Sequence, residues 1–152
     1  MNDKVYGAGT IVFRNFKNGV RFLGLKGPKE IRVVRKGTWD FPKGTREKNE
    51  KLLDCAQRET LEEAGLFFLE SDIIAGPYIH SGCAMYLIKT DLDPTILANP
   101  ISGNIEHEGF EWLSINDFHD DCYLWLRPFI VWAKKYMGLW YIIFKLFSII
   151  SL

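Results

Sequence analysis

Cysteine, histidine, net charge and long apolar runs are all in short supply in this chain of 152 residues. The three cysteines, Cys55, Cys83 and Cys122, are odd in number and lack CxxC spacing, which argues against a disulfide framework and against a zinc site. No secretory leader precedes them, so free thiols in a reducing cytoplasm are expected. His80, His107 and His119 stand apart from any other ligand-type residue at a diagnostic spacing, and a structural role is expected for each. There is no repeat, no low-complexity segment and no linker that would divide two domains, so one domain with room for a real core is expected. The apolar run at the C-terminal end is broken by Lys145 before it reaches the roughly 18–20 residues of an uninterrupted membrane span.

What the chain does hold is core material. Its apolar content of 47% and aromatic content of 14% are those of a globular protein and not of a disordered one. Charge is present but cancels, with 19 Lys and Arg against 19 Asp and Glu. The balance hides an asymmetry: residues 1–60 carry 14 basic and 7 acidic side chains, residues 61–152 carry 5 and 12. The basic half includes Lys26, Lys29, Arg32, Arg35, Lys36 and Lys43. Such cations could gather a polyphosphate, or be ordinary solvated loop charge.

Carboxylates crowd one short stretch. Glu62 and Glu63 follow Glu59 at spacings of three and four, so all three meet on one face of a single helix. Asn49 would cap that helix and Gly65 would end it, framing residues 50–64. At about 100° per residue, Leu53, Ala56, Thr60 and Ala64 form the stripe that faces a core, with Glu59 and Glu63 beside it, Glu62 further round and Arg58 beyond. Like charges so close repel and cost stability on an ordinary helix. A solvated acidic face is one reading of such a cluster. The other is a site for a hard divalent cation, which needs several oxygen ligands converging on one point.

The flanking residues separate these readings. Gly44, Glu50, Arg58, Glu59, Thr60, Glu62, Glu63, Gly65 and Leu66 stand at the spacing Gly, five residues, Glu, seven residues, Arg-Glu-U-x-Glu-Glu-x-Gly-U, with U a bulky apolar residue. Seven fixed positions, each matched by chance at roughly 6%, give a random expectation on the order of 10⁻⁹ per start point. This resembles the Nudix box, the signature of hydrolases that split nucleoside diphosphates linked to another group. Thr60 departs from the pattern, which usually has an aliphatic residue there.

The resemblance implies an α/β fold, a Nudix α/β/α sandwich with a mixed sheet between helices, over residues 1–137, and a cofactor that is Mg²⁺ or Mn²⁺. It implies Glu59 and Glu63 as principal metal ligands, with Glu62, the Gly44 carbonyl and a distant Glu completing the set. Glu106 is the candidate for that distant ligand or general base, and Glu108 its rival. Glu111 alternates with Phe110 and Trp112 in an expected strand and should point away from their core. Arg58 is expected to orient the carboxylates by pairing with Glu50 or a neighbouring Glu. Turnover is therefore expected to depend on Glu106, Glu62 and Arg58.

The order of elements agrees. Val5–Phe13 reads as a strand, paired with Arg21–Leu25 across Asn18-Gly19. A basic loop, a turn over Trp39–Gly44 and the carboxylate helix follow, then strands over Ile73–Ile79 and Ala84–Lys89, a turn-rich loop 90–104 and a short strand over Phe110–Leu113. Ser114-Ile115-Asn116-Asp117 resembles a capping box, and Pro128 suits the first turn of a last helix.

Substrate choice lies outside the box. Gly7–Arg14, Trp39-Asp40-Phe41-Pro42-Lys43-Gly44 and Glu106–Leu113 resemble the diadenosine tetraphosphate hydrolases, which implies a nucleoside polyphosphate substrate cleaved to ATP and AMP. The Trp-x-Phe-Pro-Lys-Gly run and Asp54–Glu59 are also similar to mRNA-decapping Nudix domains, so an RNA 5′ end is the alternative, and a non-catalytic nucleotide sensor or scaffold a further one. Lys43, fixed beside the expected metal, is a substrate-binding candidate. Trp39, Tyr78, Tyr86 and Phe110 are candidates to stack a base, Trp39 and Tyr86 foremost, with a core position the competing reading for each. Beyond 137, the apolar tail 138–152 follows. Lys134, Gly138, Tyr141, Lys145 and Ser148 form a polar stripe within about 80° of a helical wheel. The tail would dock on the domain or on a second subunit in a homodimer, lie on a membrane surface, or be foreign to the domain.

Overall fold

In the computed structural model, which describes residues 4–150 and only the backbone of 139–150, the chain opens with a hairpin. Strand β1 (Gly7–Phe16) turns into the antiparallel β2 (Gly19–Lys26), with Phe13 opposite Phe22 and Phe16 opposite Gly19. Helix α1 (Lys29–Arg35) comes next, then two short strands, β3 (Trp39–Asp40) and β4 (Lys43–Thr45). Helix α2 (Leu52–Ala64) carries the clustered glutamates. Strands β5 (Ile73–His80) and β6 (Cys83–Lys89) form a second hairpin, and β7 (Gly109–Leu113) ends the sheet. Helices α3 (Ile115–Asp120) and α4 (Arg127–Ile150) complete the order.

All seven strands join one mixed sheet. The main order is β3-β2-β1-β6-β5, with β4 added to β1 and β7 to β2. Only β1 and β6 run parallel; the remaining pairs are antiparallel. Side chains alternate across β1, so Ala8 and Val12 point to one face, Ile11 and Phe13 to the other. The first face packs with Cys55, Ala56 and Ala64 of α2, the second with Phe118 of α3 and Phe129, Ile130 and Ala133 of α4. That is the expected α/β/α sandwich.

Three expectations are corrected. The basic loop before Trp39 contains α1, capped at its end by Lys36 in the left-handed region. Trp39–Gly44 is two short strands rather than a turn alone. Asn49 does not cap α2: it sits at φ 63° in the preceding turn, and the helix starts at Leu52 with Lys51 as cap. Gly65 ends α2 in the left-handed region at φ 63°, as expected. Ser114 accepts a hydrogen bond from the Asp117 amide at 3.1 Å and caps α3. The backbone of α4 continues through residue 138 without a break. The side-chain stripe and docking surface expected of the tail lie outside the described residues. Among the described residues, no helix is long and apolar enough to cross a membrane.

Candidate active site

The site begins with a close approach of backbone. Strand β4 lies against β1 with Gly44 opposite Ala8 and Lys43 opposite Gly9. A Cβ on Gly9 would overlap the Pro42 carbonyl, so only glycine lets the two chains come this near. A Cβ on Gly44 would overlap the Glu59 carboxylate. Glycine at 44 therefore brings its backbone directly under the glutamates of α2.

Arg58 organises the outer side of that helix. Its Nε and Nη2 donate to the two carboxylate oxygens of Glu50 at 2.8 and 3.0 Å, and Nη2 also donates to the Thr45 carbonyl at 3.0 Å. Its Nη1 reaches Glu59 at 2.7 Å and Glu62 at 3.3 Å. One guanidinium thus hydrogen-bonds three carboxylates, lies 3.9 Å from a fourth on Glu47, and ties the loop after β4 to α2. The hydrogen bonds from Arg58 hold the Glu50 carboxyl down to about 2.

The inner side is short of positive charge. Glu59 and Glu63 are each 8% exposed. Burial raises the pKa of both, Glu63 more strongly. Glu63 accepts from the Lys43 amide at 3.0 Å. The Lys43 ammonium is bound elsewhere, donating to Asp40 at 2.6 Å and lying 5.4 Å from the centre of the Trp125 ring. Burial opposes the charge on Lys43, but Asp40 and Glu63 hold its pKa up. Burial likewise opposes charge on Asp40, but Lys43 and His107 stabilise its carboxylate and keep its pKa below the ordinary value. Among the described residues, no three His, Cys, Asp or Glu side chains gather round one point closely enough to hold an ion as they stand. Glu59 and Glu62 turn instead to Arg58. The donors nonetheless fit a hard divalent cation: buried carboxylates that share too little countercharge, packed on a glycine carbonyl strand that leaves them room.

Glu106 comes from the long loop between β6 and β7. Asn99 shapes that loop, accepting from the amides of Ile101 and Ser102 at 2.9 and 3.0 Å, and donates to Glu106 Oε1 at 3.0 Å. Glu106 borders one space with Glu62 and Glu63, and a cleft of about 400 Å³ with Glu63, Asp40, Lys43, Arg35 and Tyr123. Glu108 is tied to α1, accepting from the Lys29 amide at 3.2 Å and pairing with Arg32 at 3.3 Å, and does not line the cleft. Glu111 is exposed on β7.

Of the aromatic candidates, Trp39 and Tyr86 take the core position that was the competing reading, while Phe110 is exposed on β7. Trp39 and Tyr86 are each 8% exposed, one in the core cluster beneath α3 and α4, the other in the cluster beneath α2. Neither has a ring face to offer a base, and neither lines the cleft. Tyr78 stacks on Trp132 at 5.3 Å. Sequence alone did not single out Asp40, Asn99 or Tyr123; His107, expected to be structural, is 5% exposed, borders the cleft and lies 3.8 Å from Asp40. The turn chemistry of Asp93-Pro94 and Asn99-Pro100 signals the loop in sequence, but nothing local marks the meeting of residues 40 and 107.

A family description of the NUDIX domain matches residues 6–133. No curated protein matches the chain in sequence. Among solved structures, a C. elegans Ap4A hydrolase in a binary complex superposes with TM-score 0.62 at 18% identity, covering 87% of this chain and 98% of that one. The NUDIX domain of Shewanella oneidensis NrtR, complexed with ADP ribose, superposes with TM-score 0.60 at 11% identity, covering 88% of each chain. A MutT protein from Methanosarcina mazei Go1 gives 0.53 at 19% identity, covering 91% of this chain and 97% of that one. At such identities the likeness is one of fold.

Proposed function

The chain belongs to the Nudix family, and on that premise we propose that this pyrophosphohydrolase cleaves a dinucleoside tetraphosphate, giving ATP and AMP from diadenosine tetraphosphate. One observation carries the reading: Glu62 and Glu63 of α2 and Glu106 of a distant loop border a common space, beside a cleft that Lys43 and Arg35 also line. Glu59, Glu63, Glu62, Glu106 and the Gly44 carbonyl would hold the ion. A bound Mg²⁺ or Mn²⁺ would neutralise charge on the non-bridging oxygens and lower the pKa of the attacking water. Arg58 positions Glu59 and Glu62 by pairing with both while Glu50 fixes the guanidinium from behind. Glu106 has one oxygen, Oε1, engaged by Asn99, which leaves Oε2 either to complete the ion's ligands or to take a proton from water. Lys43 lines the cleft, but its ammonium is neutralised by Asp40, so its part is to steady Glu63 and the backbone at residues 43 and 44.

The tetraphosphate substrate is supported by the motif segments Trp39–Gly44 and Glu106–Leu113, and by the Ap4A hydrolase among the structures of the same fold. Product analysis tests it. The protein with Mg²⁺ or Mn²⁺ is offered diadenosine tetraphosphate, nucleoside triphosphates, ADP-ribose, inositol pyrophosphates and capped RNA. ATP and AMP in equal amounts are expected from the first. Release of a capped nucleotide from RNA with the tetraphosphate untouched would replace this reading by RNA 5′-end hydrolysis. No turnover of any compound would leave a nucleotide sensor.

A further inference from the structure

The segment from Lys26 to Lys43 carries six cations, but the fold uses them unequally. Arg32 is paired with Glu108 at 3.3 Å. Lys43 is paired with Asp40 at 2.6 Å and roofed by Trp125. Of Lys26, Lys29, Arg35 and Lys36, only Arg35 lines the cleft. Among the described residues, Arg35 has no carboxylate within ion-pair distance. Its guanidinium carbon lies 5.3 Å from the centre of the buried Tyr123 ring, a platform that limits its rotamers without neutralising it. It stands in the last turn of α1, a helix with no buried residue of its own.

We infer that Arg35 is the substrate-phosphate ligand of this cleft, and that it selects chains of three or more phosphates over a diphosphate. The inference rests on the pyrophosphohydrolase reading and narrows its substrate class. Glu63 and Glu106 line the same cleft as Arg35, and an ion and the cleaved bond belong beside these carboxylates. A diphosphate is served beside the carboxylates alone. A longer chain carries further negative charge along the cleft, where the neighbouring lysine is already neutralised by Asp40 and the unspent cation is Arg35. A planar guanidinium binds phosphate through two parallel hydrogen bonds, which an ammonium cannot do.

The test is binding of inorganic tripolyphosphate and of pyrophosphate by calorimetry, with Ca²⁺ present, to the full chain and to Arg35→Ala, Arg35→Lys and Lys36→Ala. Arg35 is exposed on a helix that contributes nothing to the core, so its variants keep the fold. A charge-assisted hydrogen bond predicts that Arg35→Ala weakens tripolyphosphate binding roughly tenfold or more, with pyrophosphate changed by less than about twofold. Arg35→Lys should fall between, and Lys36→Ala, which removes the same charge next door, should match the parent. Equal affinities of parent and Arg35→Ala, an equal loss for both anions, or an equal loss in Lys36→Ala would overturn the inference, as would a parent that binds no tripolyphosphate. Arginine-dependent binding in a protein that leaves diadenosine tetraphosphate uncut would sink the proposed reaction and leave this inference standing.

Discussion

Thr60 occupies a box position that the family pattern fills with an aliphatic residue, and the structure shows what compensates. Thr10 on β1 and Thr60 on α2 are both fully buried, and their hydroxyl oxygens are 2.7 Å apart. Thr60 donates to the Ala56 carbonyl at 2.6 Å, so its single hydrogen is spent and Thr10 must be the donor between the two. The pair is asymmetric. Thr60→Val strands the buried Thr10 hydroxyl, which has no other hydrogen-bond partner among the described residues, a loss of about 1–3 kcal/mol. Thr10→Val takes away one of the bonds Thr60 makes and leaves its donor satisfied, which should cost about 0.5–1 kcal/mol. The double valine variant strands nothing and fills the same volume, so it should recover most of the loss. For a chain of this size, each kcal/mol moves Tm by about 2–4 °C.

Urea titrations of the four proteins, with thermal melts as a check, give the cycle. The expected order is parent and double variant close together, Thr10→Val slightly below, and Thr60→Val lowest, with a coupling of about 1 kcal/mol or more. A double variant that is the least stable of the four, with additive costs, would refute the donor assignment. Because Ala56 and Thr60 lie on the helix that carries the glutamates, the same set should show kcat unchanged in the double variant.

Glu63→Gln should abolish turnover while the metal-free protein melts no lower, because burial already disfavours the charge that the substitution removes; activity near the parent's at saturating Mg²⁺ would contradict the assignment. Glu106→Gln should lower kcat by about 10²–10⁴ with little change in KM, as for a positioned general base, whereas Glu111→Gln should be nearly silent in the same steady-state assay. Glu50, with a side chain 13% exposed and a carboxyl held near 2 against an ordinary 4.5, should contribute about 1–3 kcal/mol through its bidentate pair with Arg58. Since the folded-state pKa is the lower one, that stability is complete above about 4.5 and disappears as pH falls through about 2; denaturation curves of Glu50→Gln and parent should differ at pH 7 and converge in strong acid, and a constant gap across pH would refute it.

The residues that were legible in sequence are those whose role is fixed within one element or by its immediate flanks. The glutamates of α2 share a face because of helical spacing, Gly44 is glycine because a carboxylate occupies the place of its Cβ, and Gly65 ends the helix in the left-handed region. Strands announced themselves through runs that are buried on both faces, as Gly7–Phe13 and Cys83–Ile88 are. Helix α1 had no such signature: seven residues with none buried leave no apolar period to read. Asn49 misled for a related reason. The side chain that makes Asn a good cap also lets it take positive φ, and here the turn claimed it.

What sequence could not supply is the partition of like residues among unlike jobs, and the cleft shows why. Arg32, Arg35 and Lys43 are equivalent in any count of charge, yet one closes a loop through Glu108, one is neutralised by Asp40, and one faces the cleft. Trp39 and Tyr86 are equivalent to any ring that stacks a base, yet both fill core. In each case the deciding neighbour comes from another element or from the far side of the chain: Glu108 is 76 residues from Arg32, and Cys122, which bridges to Trp39, is 83 residues away. A box can be read from its spacing because one helix presents its carboxylates together. The cleft cannot, because its selectivity is set by which cations the fold has already neutralised.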